Sequence, residues 1–192
     1  IDIRHEPGNA PDKLNIIIDV EEERTGEISV GGGFSTSDGP LANINLLERN
    51  FRGQGQEFNI GFTVAKHRQE FDVSFTEPYF LNRELSAGVD LYRLSQNKYF
   101  GDSFTQKSYG GALRMGYMLA NYLSQSWAYR LSFDEVTGIR DNASRFIKEQ
   151  KGRSTVSGIG HSIMYDRRDN RIEPTEGYTL SMANDFAGVG GN

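Results

Sequence analysis

Three histidines are the residues of this sequence whose chemistry best suits metal binding or proton transfer. They are His5, His67 and His161. Common zinc sites draw pairs of ligands that lie only a few residues apart, and here tens of residues separate one histidine from the next. Cysteine is absent, so thiolate ligands and disulfides are excluded as well. The pattern predicts no metal, no cofactor and no enzymatic activity.

Two short segments place carboxylates near arginines, a pattern that could suggest acid–base pairs. They are EVTGIRD, from residue 135, and YDRRDNR, from residue 165. No nucleophile or pocket accompanies them, so we expect salt bridges within loops and turns. The acidic run Glu21–Glu23 could bind calcium, but a solvated linker is favoured. The segment GGGFS lacks the strand–loop–helix context of a phosphate-binding loop.

The composition indicates β-structure with tight turns. The 192 residues include 22 Gly, 12 Phe and 9 Tyr, a combination more typical of strands than of helices. The net charge of −5 gives no general attraction to nucleic acid. No apolar stretch is long enough for a spanning helix. Spanning strands stay possible, because their alternation dilutes any hydropathy average.

From Gly26 onward, apolar and polar residues alternate in one segment after another, as in strands with one buried face. The predicted strands are EISVGGGFS, ANINLLE, EFNIGFTVA, EFDVSFT, ELSAGVDLY, YGGALRMGY, WAYRLSFD, TVSGIGHSIMYD and YTLSMANDF. About nine strands of roughly 8 to 11 residues suit an antiparallel meander that crosses a bilayer at a tilt. The earlier segment LNIIIDV instead predicts a strand covered on both faces.

In a meander, alternate connections lie at opposite ends of the strands. One end therefore receives SDGP, KHRQ, QNKYFGDSFTQ and the loop that contains residues 139–154. The other receives RNFRGQGQ, EPYFLNRE, LANYLSQS and RRDNRIEPTEG. The second set is shorter on average and has aromatic edges, which is the expected asymmetry of an outer-membrane barrel.

Alternation alone does not separate a membrane barrel from a soluble sheet with one solvated face. Charges on the polar side favour a water-filled lumen. They are Asp90, Arg114, Arg130 and Asp134. Several glycines share that side, among them Gly61. Both architectures stay open at this point, with the barrel favoured.

Four segments resemble one known family. They are VEEERTGEISVGGGFSTSDG, LLERNFRGQGQ, FTEPYFL and YDRRDNRIEPTEGY, and they cover most of the chain. In this order they are similar to the BamA-type outer-membrane assembly proteins, the bacterial surface antigen family that also has mitochondrial and plastid members.

This resemblance implies periplasmic POTRA modules followed by a sixteen-stranded barrel. Residues 1–24 would end the last POTRA module, and residues 25–192 would form the N-terminal part of the barrel. The implied function is folding and inserting client β-barrel proteins, with accessory lipoproteins and outer-membrane lipids as further partners. A polypeptide-secreting transporter or a passive pore of the same architecture is the alternative. A soluble β-sheet binding module is the third possibility.

The resemblance also implies a weak seam between the first and last strands. The predicted edge of this lateral gate comprises Ile28, Val30, Gly31, Gly32, Gly33 and Phe34. An edge strand offers unpaired backbone groups that can template an incoming strand. The three glycines would weaken packing. Alternatively they relieve crowding inside the barrel or permit a bulge.

The segment FTEPYF places aromatic rings directly after the proline that ends a strand. Strand parity puts it at the inner rim, where aromatic rings favour the membrane interface. The predicted periplasmic interface anchors are Phe51, Pro78, Tyr79, Phe80, Tyr122 and Tyr178. They would fix the depth of the barrel and carry out no chemistry.

Overall fold

A computed structural model describes residues 2–7, 14–19, 24–98, 104–141 and 143–190. The acidic run Glu21–Glu23 and all but the first residue of the segment PGNAPDK, from residue 7, for which the sequence predicts a loop, lie outside these described residues. No helix in the described ranges is long and apolar enough to cross a membrane.

The first two strands form a small antiparallel sheet of their own. β1 (Asp2–Pro7) pairs with β2 (Leu14–Asp19). The predicted strand at β2 is confirmed, whereas the polar β1 was not foreseen. Ile16 and Ile18 are 63% and 58% exposed in the described part of the chain, and the expectation that further parts of a module cover β2 on both faces stays a prediction. Two strands alone cannot cover their own faces.

The other nine strands form one antiparallel sheet in sequence order. They are β3 (Gly26–Ser35), β4 (Gly39–Phe51), β5 (Gln56–Ala65), β6 (Arg68–Glu77), β7 (Leu85–Lys98), β8 (Phe104–Ala120), β9 (Leu123–Thr137), β10 (Gly152–Asp166) and β11 (Thr179–Ala187). All nine predicted strands are confirmed. Five of them run 13 to 17 residues, beyond the predicted 8 to 11, because pairing continues past the alternating segments toward the turns.

The register gives the sheet one apolar face and one polar face. Ile44 pairs with Phe62, and Phe62 pairs with Phe71, so large apolar side chains form a row across three strands. The adjacent row joins Asn45 to Gly61 and Gly61 to Asp72. Each strand contributes alternate residues to the two faces, as a period of two requires.

No other described element covers the apolar face. Ile28, Phe62 and Leu113 are 70%, 45% and 61% exposed. In the described ranges, the only buried hydrophobic residues are Phe104, Val136 and Ala143. Soluble monomers rarely expose a continuous apolar surface of this size. The face therefore favours a membrane barrel over a soluble sheet.

The connections fall at two ends, as the strand parity predicted. Of the described residues, the α1 end has 36–38, 66–67, 138–141 and 143–151, the last containing α1 (Arg145–Glu149). The aromatic end has residues 52–55, 78–84, 121–122 and 167–178. The predicted difference in length between the two sets stays a prediction, because residues 99–103 and 142 of the α1 end lie outside the described residues. Strands that extend toward the turns shorten the segments that the sequence assigned to loops.

Candidate functional site

The predicted gate strand, β3, lies at one edge of the nine-stranded sheet. It pairs with β4 over ten residues, from Gly26 with Glu48 to Ser35 with Gly39. Within the described ranges no strand pairs with its other edge. In the same ranges β11, at the opposite edge, also pairs on one side only, so at each edge one row of backbone N–H and C=O groups can pair with a further strand.

The side chains of β3 are the most open of the apolar face. Ile28, Val30 and Phe34 are 70%, 75% and 77% exposed. Val30 and Ile28 each have a cross-strand neighbour on the β4 side only. An arriving strand would therefore gain both backbone hydrogen bonds and apolar contacts here.

The three glycines of β3 have different surroundings. A β-carbon at Gly31 would collide with the side-chain oxygen of Asn43. At Gly32 and Gly33, by contrast, the nearest atoms would be 3.7 and 3.9 Å away, both from Leu41. Relief of crowding therefore explains Gly31 alone. The alternative of a bulge is wrong, because the β3–β4 register is continuous.

The same relationship recurs along the polar face, where a glycine on one strand underlies a polar side chain from the next. A β-carbon at Gly61 would collide with the carboxylate of Asp72, and one at Gly88 would lie 2.8 Å from Nη2 of Arg114. Sequence reasoning missed these pairs. The glycine–polar alternation was visible, but which two residues meet depends on strand register.

Two arginine side chains reach across the polar face, each passing over a glycine of a neighbouring strand. Arg114 donates to Asp90 at 2.6 and 2.8 Å and to the hydroxyl of Thr76 at 3.1 Å. Arg130 reaches Asp185 at 3.0 Å. Three of the four polar-side charges thus have partners across strands, and Asp134 accepts a bond from Ser132 at 3.0 Å. This chemistry suits a hydrated lumen.

All six predicted interface anchors lie at the aromatic end. Phe51 packs on Phe58 with a centroid distance of 5.5 Å, and Tyr178 lies 6.0 Å from Tyr165. The remaining anchors lie in the turns of this end: Pro78, Tyr79, Phe80 and Tyr122. Arg167 lies over the ring of Tyr122 at 5.1 Å. The structure therefore brings these residues to one end of the sheet, while their contact with lipid stays a prediction.

The connection from 167 to 178 is tied down by two acidic residues. Arg168 holds Asp166 through two hydrogen bonds of 2.8 and 2.9 Å, which confirms the salt bridge predicted in YDRRDNR. Asp169 accepts bonds from the Thr175 hydroxyl at 2.5 Å and from the amides of Thr175 and Glu176 at 3.0 Å. These bonds, the Thr175 hydroxyl first, hold the pKa of Asp169 well below its usual range.

The other segment with mixed charges behaves differently. In EVTGIRD, Glu135 accepts a bond from Arg153 across the β9–β10 pair at 2.9 Å. Both residues lie in strands, so the expectation of a bridge within the loop is wrong. In the described ranges no group of three or more His, Asp or Glu side chains is arranged to hold a metal ion. His161 instead packs against Trp127, with the two rings tilted and a centroid distance of 4.3 Å.

The sequence of this chain matches the model of a known protein family. Residues 50–192 match the Omp85 superfamily domain. The chain belongs to the Omp85 superfamily. The resemblance to BamA-type proteins inferred from the four sequence segments is confirmed.

Among superfamily relatives, the outer membrane protein assembly factor BamA of Nitratidesulfovibrio vulgaris is 30% identical over the whole chain, which covers 24% of that protein. BamA of Neorickettsia risticii is 25% identical over 94% of the chain and 25% of its own length. The sorting and assembly machinery component 50 homolog of Mus musculus is 22% identical over the whole chain and 40% of its own length. The chain thus spans about a quarter of the bacterial relatives.

A solved structure supports the fold. The crystal structure of BamA from Haemophilus ducreyi lacking POTRA domains 1–3 superposes with a TM-score of 0.69 over 99% of this chain and 39% of that one. The two share 18% sequence identity. This likeness confirms the all-β antiparallel meander. The closed count of sixteen strands and the boundary between residues 24 and 25 stay predictions.

Proposed function

We propose that this chain is the first part of an outer-membrane barrel that folds and inserts other β-barrel proteins. The observation that carries the proposal is the match of residues 50–192 to the Omp85 superfamily domain, and β3, which stands at one edge of the sheet and pairs with β4 in the described ranges, supports it. The names of the BamA and component 50 relatives support the assembly role.

The proposed mechanism needs no covalent chemistry. In hydrocarbon, each unpaired backbone group of a client strand is costly, since no water can satisfy it. Pairing with β3 would satisfy alternate N–H and C=O groups of the client while its side chains extend the apolar face beside Val30. The client would then enter the bilayer already hydrogen-bonded.

The proposed orientation places the aromatic end at the periplasmic side and residues 1–24 in the periplasm. Its support is the set of rings at that end, where Tyr79, Phe80 and Tyr122 are 63%, 43% and 53% exposed. Accessory lipoproteins would meet the protein on this side, and outer-membrane lipids would contact the apolar face.

A disulfide lock on the full-length protein tests the proposal. Val30→Cys would be joined to a cysteine in the closing strand, and client insertion would be measured before and after reduction. We expect insertion to stop in the locked form and to return with reductant. The matched control joins Val30→Cys to Ile44→Cys, a pair already adjacent in the β3–β4 register, and should remain active.

A locked protein that inserts clients at the normal rate would contradict the gate. A lock that leaves insertion intact but stops release of a polypeptide or solute from vesicles would instead support the transporter or pore alternative.

A further inference from the structure

A row of charged side chains crosses the apolar face at its α1 end. Lys107 on β8 pairs with Glu135 on β9, and Glu135 pairs with Arg153 on β10. Arg93 on β7 lies in the next row, opposite Tyr109. All four side chains share the face that carries Leu113 and Tyr129, because the face repeats every second residue.

This row has an excess of positive charge. Glu135 is bonded to Nε of Arg153, yet the Arg153 side chain is 85% exposed, against 30% for Glu135. The guanidinium therefore keeps its terminal N–H groups for another acceptor. Together with Lys107 of this row and Arg93 of the next, both exposed, the two rows have three cations and one anion.

The corresponding row near the aromatic end is uncharged. It consists of Leu85, Tyr117, Gln125 and Ile163. Glu48 and Glu77, which share the apolar face nearer the aromatic end, are acidic, so the excess of positive charge belongs to the α1 end.

An apolar groove of about 500 Å³ lies next to the charged row, on the side toward the middle of the sheet. Its walls include Leu91, Leu113 and Leu131. Gly111 forms its floor, because glycine has no side chain to fill the space. Tyr109 and Phe133 stack at its upper end with a centroid distance of 5.2 Å. The volume is within the range of about 300–1,000 Å³ that suits bound ligands.

Depth along the strands places this row at a membrane surface. From Phe133 to Leu123 on β9 the rise is about 33 Å, at about 3.3 Å per residue. At a tilt of about 40° this covers about 25 Å of membrane, the height of the apolar band of such barrels. Lys107, Glu135 and Arg153 lie one row beyond Phe133, at the level of lipid headgroups.

We propose that this surface binds one molecule of a phosphorylated, multiply acylated glycolipid of the outer leaflet, with an acyl chain in the groove and phosphates on the basic side chains. The inference rests on the proposed function, which places the α1 end outward. Lys107 and Arg153 are two strands apart, about 10 Å at the usual strand spacing. That separation suits two phosphates on one headgroup better than the single phosphate of an ordinary phospholipid.

The test uses full-length protein in phosphatidylcholine nanodiscs with bisphosphorylated lipid A as the probe, read by native mass spectrometry of the retained lipid. Lys107→Gln with Arg153→Gln should weaken the apparent Kd about 25-fold, since each basic residue at such a surface contributes about fivefold. Arg145→Gln with Lys148→Gln removes the same charge from α1, also at this end, and should change little. Leu91→Trp fills the groove without a charge change and should weaken binding about tenfold, the loss of roughly two buried methylene groups.

Unchanged lipid A retention in the Lys107 and Arg153 double variant would overturn the headgroup site, as would equal retention of the dephosphorylated lipid. Equal retention of phosphatidylglycerol would overturn the assignment to a glycolipid. No effect of Leu91→Trp would overturn the acyl-chain groove. The measurement contains no client protein, so a failure of the assembly function would leave its result unchanged.

Discussion

The guanidinium of Arg114 lies over Gly88, with Nη2 only 2.8 Å from the position that a β-carbon there would occupy. Gly88 is the residue opposite Arg114 in the β7–β8 register, and its empty side lets the arginine continue to Thr76 on β6. One missing side chain thus permits a hydrogen-bonded connection across three strands.

This relationship predicts the effect of filling the space. Gly88→Ala should lower the free energy of unfolding by about 1–3 kcal/mol, because Arg114 must leave part of its hydrogen-bonded position. Gly116→Ala is the matched control, since it faces the same side and its nearest non-flanking atom would be 3.8 Å away. Urea titration of the full-length protein in detergent checks both. Equal stability of the two variants would contradict this explanation of Gly88.

The two arginine–aspartate pairs of the polar face should differ in strength. Arg114 and Asp90 have side chains 39% and 31% exposed, whereas Arg130 and Asp185 are 60% and 75% exposed. Exposed pairs are weakened by solvent and by the cost of ordering two side chains. Double-mutant cycles should give a coupling of about 1–2 kcal/mol for the first pair and below about 1 kcal/mol for the second.

The cycles use Asp90→Asn with Arg114→Gln, and Asp185→Asn with Arg130→Gln. A second coupling as large as the first would show that the lumenal environment, and not exposure, determines the strength of these pairs.

The connection from 167 to 178 should depend on the charge of Asp169. Its pKa is depressed in the folded protein, so the carboxylate stabilises the loop fully above the unfolded pKa of about 3.9. This contribution is lost as the pH falls toward the lower folded value. Asp169→Asn should therefore remove hydrogen-exchange protection from the amides of Thr175 and Glu176 at pH 7, and the difference from the natural protein should shrink below pH 4.

The control for this loop is Glu173→Gln, an exposed acid in the same connection. It should leave the exchange of the two amides unchanged at every pH. A pH-independent difference between Asp169→Asn and the natural protein would contradict the assigned charge effect.

The part of the fold and of the candidate site that the sequence could predict is the part that the alternation of apolar and polar residues within a strand determines. The alternation predicted all nine strands, because each strand by itself must place its apolar residues on one face and its polar residues on the other. It could not show that Gly88 underlies Arg114, since that requires the register between strands. It also could not show what covers Ile16 and Ile18, because a run of apolar residues indicates burial without identifying the element that covers it. For the edge of β3, sequence motifs located the strand, and the pairing then showed that Gly31 has a packing role.

The last prediction concerns which backbone groups of β3 would serve a client. In an antiparallel pair, the N–H and C=O of one residue point to the same side, and those of the next residue to the other. Proline removes the N–H. Substituted singly from Ser29 to Phe34, it should therefore produce two alternating effects. Positions that donate to β4 should lower barrel stability, and the positions between them should keep stability but lose client insertion.

Heat-modifiable migration on gels measures stability, and insertion of a labelled client barrel into vesicles measures activity, so the two effects are scored separately. The same series in β5, which is paired on both sides, is the control, and there every proline should destabilise the barrel. If insertion persists at every β3 position where the barrel stays stable, β3 does not template client strands. If stability and client insertion instead change in opposite phase, each with a period of two residues along β3, the outward N–H groups of β3 are the client-binding row.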